Sequence, residues 1–190
     1  DYPRTETIVV TQNSNSGTIS GTAASLGVGG IVGSIYNQAT VTANTNTAAS
    51  VTGGVFAGGI VGGPQIGQAG QNLEGEIITI SGNVTYTPKA NVTASGTCSG
   101  VVAYQNDTSA TKIVISDNLY PVASATVDAD TVIYFSLQDA LESKAETVTL
   151  LIDTDEQQAV DQVVTIEKGG YTAANISAAV GYEKTETAEA

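Results

Sequence analysis

The sequence predicts an all-β protein, a parallel β-solenoid followed by a short helix-plus-strands segment. Three observations carry this. A glycine-cornered apolar motif recurs, strands of Thr and β-branched residues stand between its copies, and no charged residue occurs from Thr7 to Leu73. An antiparallel β-sandwich of a pilin-like subunit is the alternative, because glycine-rich connections and alternating strands are equally at home there.

Taken in order, Glu6-Thr7-Ile8-Val9-Val10-Thr11 follows Pro3 and reads as the first strand. Gly29-Gly30-Ile31-Val32-Gly33-Ser34 then returns 29 residues later as Gly58-Gly59-Ile60-Val61-Gly62-Gly63. A weaker third copy, Ser99-Gly100-Val101-Val102-Ala103-Tyr104, follows after a further 41. Short strands precede the copies: Thr18-Ile19-Ser20, then Ala39-Thr40-Val41-Thr42, then Asn83-Val84-Thr85-Tyr86 and Asn91-Val92-Thr93. In a solenoid, Val and Ile stack inward from coil to coil. Gly at the corners supplies positive φ and close backbone approach. Thr, Ser, Asn and Gln face outward and keep strand propensity without charge. Like charges stacked about 4.8 Å apart would repel, which accounts for the uncharged stretch.

The repeat region is placed at 1–127, a helix-strand-strand cap or the start of a next module at 128–182, and a tail or linker at 183–190. Within the second segment Leu137, Ala140 and Leu141 fall at helical spacing, with Ser136 as N-cap and Asp139 in the first turn. Thr147-Val148-Thr149-Leu150-Leu151-Ile152-Asp153 and Gln162-Val163-Val164-Thr165-Ile166-Glu167 read as strands, parted by an acidic loop and ended by Gly169-Gly170. Such a helix is expected to cover the open end of the apolar column.

The stretches Asn15-Ser16-Gly17-Thr18-Ile19-Ser20-Gly21, Val28 to Asn37, Ala39 to Thr42 and Ala57 to Gly62 resemble the GLUG-type repeats of bacterial surface proteins. The likeness covers about residues 15 to 63, with a degenerate continuation to Tyr104. It implies a right-handed β-helix in an exported protein of the adhesin or wall-associated kind, and it carries over no catalytic residue. The third copy departs from the pattern, since Cys98-Ser99-Gly100 replaces the glycine pair.

Composition narrows the chemistry. With 190 residues, no His and one Cys, the chain cannot write a Ser-His-Asp or Cys-His arrangement, a structural zinc site or an internal disulfide. A formal charge of −13 disfavours nucleic acid and anionic membrane as partners. No apolar run approaches the roughly 20 residues of a spanning helix. Starting at Asp1 rather than Met, the chain is expected to be a processed mature form or an excised piece. Its small, hydroxylated, acidic composition points outside the cell.

The remaining constellations each have a structural explanation. The loop Asp153-Thr154-Asp155-Glu156, with Asp161, offers oxygens to calcium but lacks the spacing of an EF-hand, and an acidic turn explains it. Asp128 and Asp130 would share one side of a strand. Asp153 and Asp161 invite a glycosidase reading, which needs two carboxyls about 5 to 9 Å apart in a cleft. A lyase would draw on Lys89 or Lys112. The glycines lack the P-loop Lys and a following helix, so corners explain them better than phosphate binding. Tyr36, Tyr86 and Tyr104 form a sugar-stacking stripe if they share a face. Four Asn-x-Ser/Thr sequons start at Asn83, Asn91, Asn106 and Asn175. Cys98 is expected to be a buried inert thiol.

These readings lead to a non-enzymatic extracellular structural or adhesive module of a bacterial surface protein. No catalytic, metal or cofactor residue is assigned. Expected partners are surface or matrix proteins or glycans, with self-assembly through the N-terminal strand. The first alternative is a filament or pilus subunit joined by donor-strand exchange. The second is a polysaccharide-binding or polysaccharide-degrading β-helix protein.

Overall fold

Alternation of β-branched with hydroxylated residues makes most of the chain strand rather than helix. The computed structural model describes residues 7–36, 38–64, 76–103, 111–154 and 164–172. The chain divides into two units, Asp1–Tyr120 and Pro121–Ala190. The strand Ala123–Val127, placed in the repeat region by the sequence reading, lies in the second of them.

The first unit repeats one itinerary. A first pass runs through β1 (Ile8–Thr11), β2 (Ser14–Asn15), β3 (Ile19–Ser20), β4 (Gly27–Gly29) and β5 (Val32–Ile35). A second runs through β6 (Ala39–Thr42), β7 (Thr45–Asn46), β8 (Val51–Thr52), β9 (Phe56–Gly58) and β10 (Val61–Pro64). A third holds β11 (Glu76–Ser81), β12 (Val84–Thr85), a 3-10 turn at Lys89–Asn91, β13 (Val92–Thr93) and β14 (Thr97–Ser99), and Val102 then bridges to Val61. The fourth begins with β15 (Thr111–Ser116), after which Leu119 bridges to Val84.

Each strand pairs with its counterpart in the next pass, giving the sheets β1-β6-β11-β15, β2-β7-β12, β3-β8-β13, β4-β9-β14 and β5-β10. Every ladder among these strands is parallel. The antiparallel sandwich is therefore not the architecture of this unit. Paired strands are separated by a whole pass, the long connection that parallel pairing requires, and not by hairpins.

The unequal intervals in the sequence do not disturb the register. Ile8, Ala39, Ile78 and Ile113 stand in one row although 31, 39 and 35 residues separate them. The long second interval is absorbed between Pro64 and Glu76, after β10 and before β11. Two sequence assignments change in consequence. Ile19, Ala39 and Val84 belong to three different sheets, and the true counterparts of Ile19 are Val51 and Val92. Nor is the glycine motif one strand: β4 ends at Gly29, the chain bends at Gly30-Ile31, and β5 starts at Val32.

Inward rows build two apolar clusters. One holds Ala39, Val41, Ile60, Val61, Ile78 and Ile80, and the other Val28, Val51, Ala57 and Val92. Burying each Val or Ile contributes roughly 1.5–3 kcal/mol. Glycine lets β4 and β9 lie directly against β5 and β10. A Cβ on Gly29 would stand 2.0 Å from the Val32 oxygen, and one on Gly62 would stand 2.3 Å from the Val28 nitrogen. Positive φ, the other reason expected for these glycines, occurs at none of Gly29, Gly30, Gly33, Gly58, Gly59, Gly62 or Gly63. Close approach explains Gly29, Gly30, Gly58, Gly59 and Gly62, where an added Cβ would stand 2.0–2.3 Å from a main-chain atom.

In the second unit β16 (Ala123–Val127) pairs antiparallel with β17 (Asp130–Tyr134) and β18 (Thr147–Leu150), and β18 pairs parallel with β19 (Thr165–Glu167). Asp128 and Ala129, with φ of 49° and 72°, form the two-residue turn between β16 and β17. The helix α1 (Leu137–Glu142) holds all three residues of the apolar period, Leu137, Ala140 and Leu141. Ser136 caps it, its side chain accepting from the Asp139 N–H at 3.1 Å. Ser143 Oγ donates to the Ala140 carbonyl at 2.7 Å, and Lys144 at φ 64° leaves in the left-handed region. Leu137, Ala140 and Leu141 are buried in a cluster with Ala123, Ala125, Val148, Leu150 and Ile166. The helix thus packs its apolar face on the sheet of its own unit.

Candidate interaction surface

The sequence of each pass begins with a strand that ends in Thr or Ser, then one residue, then Asn: Thr11-Gln12-Asn13, Thr42-Ala43-Asn44, Ser81-Gly82-Asn83 and Ser116-Asp117-Asn118. The middle residues take φ of 57°, 54°, 62° and 56°. That left-handed step turns the chain, and it aims the following side chain inward. Side-chain amides suit this place because they both donate and accept.

The four asparagines form a ladder. The Asn13 N–H and Nδ2 donate to Asn44 Oδ1, both at 3.0 Å. The same two atoms of Asn44 donate to Asn83 Oδ1 at 3.0 and 2.8 Å, and those of Asn83 donate to Asn118 Oδ1 at 3.0 and 2.8 Å. The second Nδ2 hydrogen is committed to the main chain of the corner: Asn44 Nδ2 lies 3.0 Å from the Val10 and Thr42 carbonyls, and Asn83 Nδ2 lies 2.9 Å from Val41 O. Asn44 and Asn83 are fully buried. A second inward amide, Asn46, donates to Gly59 O at 2.8 Å and to Thr87 Oγ1 at 3.0 Å. It reaches them across Gly30, where a Cβ would stand 2.3 Å from its Nδ2.

The sequence reading expected Asn to face outward, and these positions correct it. At a corner the amide satisfies main-chain groups that strand pairing leaves open, and a buried unsatisfied group costs about 1–3 kcal/mol. The signal was present as Thr/Ser-x-Asn at the start of every pass. It was hidden by the unequal intervals and by the more conspicuous glycines.

With amides inward, hydroxyls and Val occupy the outside. On the sheet β1-β6-β11-β15, alternation puts Val9, Thr40, Thr79 and Val114 in one outer row and Thr11, Thr42, Ser81 and Ser116 in the next. Around the corner Ser14, Thr45 and Val84 continue the pattern, and Ser20, Thr52 and Thr93 form a further row. None of these residues is charged. The result is a regular surface of hydroxyls and methyls at the spacing of paired strands, about 4.8 Å.

The second unit presents a comparable face. Ser124, Thr126, Thr131, Thr147 and Thr149, with Glu146 and Glu167, line an open concavity of about 530 Å³. Thr149 Oγ1 donates to Glu167 Oε2 at 3.2 Å. The groove offers hydrogen-bonding groups and two carboxylates, and no aromatic residue lines it.

Other candidate residues are placed as follows. Asp153 Oδ1 accepts from the Thr172 N–H at 2.8 Å and Oγ1 at 3.0 Å, so this carboxylate ties together the segments ending β18 and following β19. Asp155, Glu156 and Asp161 lie outside the described residues, and among the described residues no group of three acids or thiols is close enough to hold a metal. Asp128 and Asp130 do not share one side of a strand, because Asp128 is in the turn. Tyr36 follows β5 and Tyr86 follows β12, both exposed on different sheets, and Tyr104 is outside the described residues. Asn83, the head of one sequon, is buried in the ladder and inaccessible to glycosylation in the folded chain. Asn91 is exposed, and Asn106 and Asn175 lie outside the described residues.

Cys98 is exposed, contrary to expectation. It stands in the inward row of buried Val28 and Ala57, yet β14 is the last strand of its sheet, so among the described residues no further rung covers it. No family model, curated protein or solved structure matches the chain.

Proposed function

We propose that the first unit is a right-handed parallel β-solenoid and that the chain is a non-enzymatic structural or adhesive module of a bacterial surface protein. The GLUG-type resemblance implies this class of protein. The in-register stacking of uncharged Thr, Ser and Val rows outside an asparagine ladder is the observation that carries the reading. Parallel ladders joined by whole-pass connections favour a solenoid, and crossover connections between parallel strands are right-handed in nearly all proteins. The ladder and the glycine contacts make the rod stiff. The outer rows give it a flat face whose hydroxyls can donate to and accept from glycan hydroxyls or a partner's backbone.

Antibody labelling of intact source cells tests location, and binding of the full chain to immobilised polysaccharides and matrix proteins tests adhesion. The expected result is surface labelling together with binding that Thr40→Glu plus Thr79→Glu reduces without loss of the β-type circular dichroism. Labelling only after lysis, or catalytic turnover of a polysaccharide by the purified chain, would overturn it. Donor-strand exchange has less support, because β1 already pairs with β6 of its own chain over four residues, Ile8 to Thr11.

A further inference from the structure

Among the described residues β1 pairs on one side only, with β6, and its other edge is built to take a strand. The N–H groups of Ile8 and Gln12 donate to Gln38 O and Thr42 O, so alternation turns those of Val9 and Thr11 to the free edge. The inward row is uncovered at the same place. Ile8 is 48% exposed and Val10 is half-buried, whereas Ala39 and Val41, beside them in β6, are at 1% or less. Apolar side chains next to a row of unpaired main-chain groups are the combination that recruits another strand.

The asparagine ladder specifies that strand. Asn44 accepts at Oδ1 from the N–H and Nδ2 of Asn13, and its own Nδ2 donates to the Val10 carbonyl of the pass before. Asn83 and Asn118 repeat both contacts, the second falling on the Val41 and Ile80 carbonyls. Asn13 has only the forward half. Its Nδ2 reaches Thr11 O and Asn44 Oδ1, and among the described residues nothing donates to its Oδ1. The missing contacts are those of a preceding rung, two donors for Oδ1 and one carbonyl for Nδ2. A strand running parallel to β1 brings the corner that follows it to Asn13, whereas an antiparallel one would bring its own start.

We propose that the free edge of β1 binds an extended polypeptide segment of defined chemistry by β-augmentation. The segment runs parallel to β1 and sets β-branched residues opposite Ile8 and Val10. It ends in Thr or Ser, then one residue in the left-handed region, then Asn, whose N–H and Nδ2 supply the donors for Asn13 Oδ1. It is uncharged, as is this chain from Thr7 to Leu73. The proposal rests on the solenoid reading above, since the segment takes the place of one more pass. No strand of the chain is displaced.

The chain's own Ile78-Thr79-Ile80-Ser81-Gly82-Asn83 has this pattern, so a dye-labelled synthetic peptide spanning residues 78–85 is the probe. Titrated with the full chain, it should give saturable fluorescence anisotropy and slow the hydrogen exchange of the Val9 and Thr11 amides. Asn83→Asp in the peptide removes the Nδ2 donor and sets a carboxylate against Asn13 Oδ1, and it should weaken binding by roughly tenfold or more. Ile8→Lys in the protein places a charge in the inward row and should do the same, whereas Val9→Lys, on the outer face, should leave binding unchanged. The peptide variant decides the matter even if Ile8→Lys fails to fold. No binding, equal binding of the Asn and Asp peptides, or protection in β15 instead of β1 would each overturn the proposal. So would β1 amides already protected in a self-associated chain, which would make a second copy the occupant. Surface labelling of intact cells without peptide binding would sink augmentation and leave the proposed function standing. Peptide binding by a chain that labels only after lysis would do the reverse.

Discussion

The two units use the same residue types to opposite ends. In the first, a strand finds its partner one pass later, and 31 to 39 residues separate rungs of the ladder. In the second, a two-residue turn brings β17 back onto β16, and one capped helix covers the sheet. The first unit spends side-chain amides and glycines on its interior. The second buries Leu137, Leu141, Leu150 and Ile166. Long-range parallel stacking has little local structure to lean on, so it depends on polar rungs and on backbones that approach closely. A small sheet with a helix can rely on apolar burial and a cap.

Removing a central rung should break the comparison most severely. Asn83→Ala leaves the buried Asn44 N–H and Nδ2 without their acceptor and the Val41 carbonyl without its donor. A loss of about 4 kcal/mol is expected from two or more unsatisfied groups. Residue-level hydrogen exchange should show β6 and β11 deprotected while β16 and β18 keep their protection. Leu141→Ala is the mirror experiment, with an expected loss of about 3 kcal/mol and deprotection confined to β16 and β18.

Gly59→Ala separates close approach from conformational freedom. Its new Cβ would stand 2.0 Å from the Gly100 carbonyl oxygen, whereas at Gly82, φ 62°, nothing lies within 4 Å of a Cβ. Urea denaturation should report about 2–3 kcal/mol lost for Gly59→Ala and about 1 kcal/mol for Gly82→Ala. Equal losses would mean that conformation, and not contact, dominates at both. The smallest effect belongs to the cap: Ser136→Ala should cost about 1 kcal/mol, read as faster exchange of the Asp139 amide alone.

Much of this was legible in the residues. Ala39–Thr42 is a strand with the bounds its alternation suggests, and Ser136, Leu137, Ala140 and Leu141 play the parts their spacing assigns. The asparagine ladder was missed because its rungs recur at unequal intervals, and Asn next to Thr reads as an exposed polar pair until a corner turns it inward. Cys98 was misjudged because small neighbours suggest burial, whereas exposure depends on whether another strand follows in the same sheet.

The sequence by itself determined that strands dominate and that a helix begins after Ser136. These depend on local torsion, period and side-chain size, which a residue carries wherever it goes. Only the tertiary structure decided which strand meets which, that the asparagines point inward, and that Ile8 and Cys98 remain uncovered. Those outcomes depend on register between residues 29 to 41 positions apart, and no local preference encodes a partner at that distance.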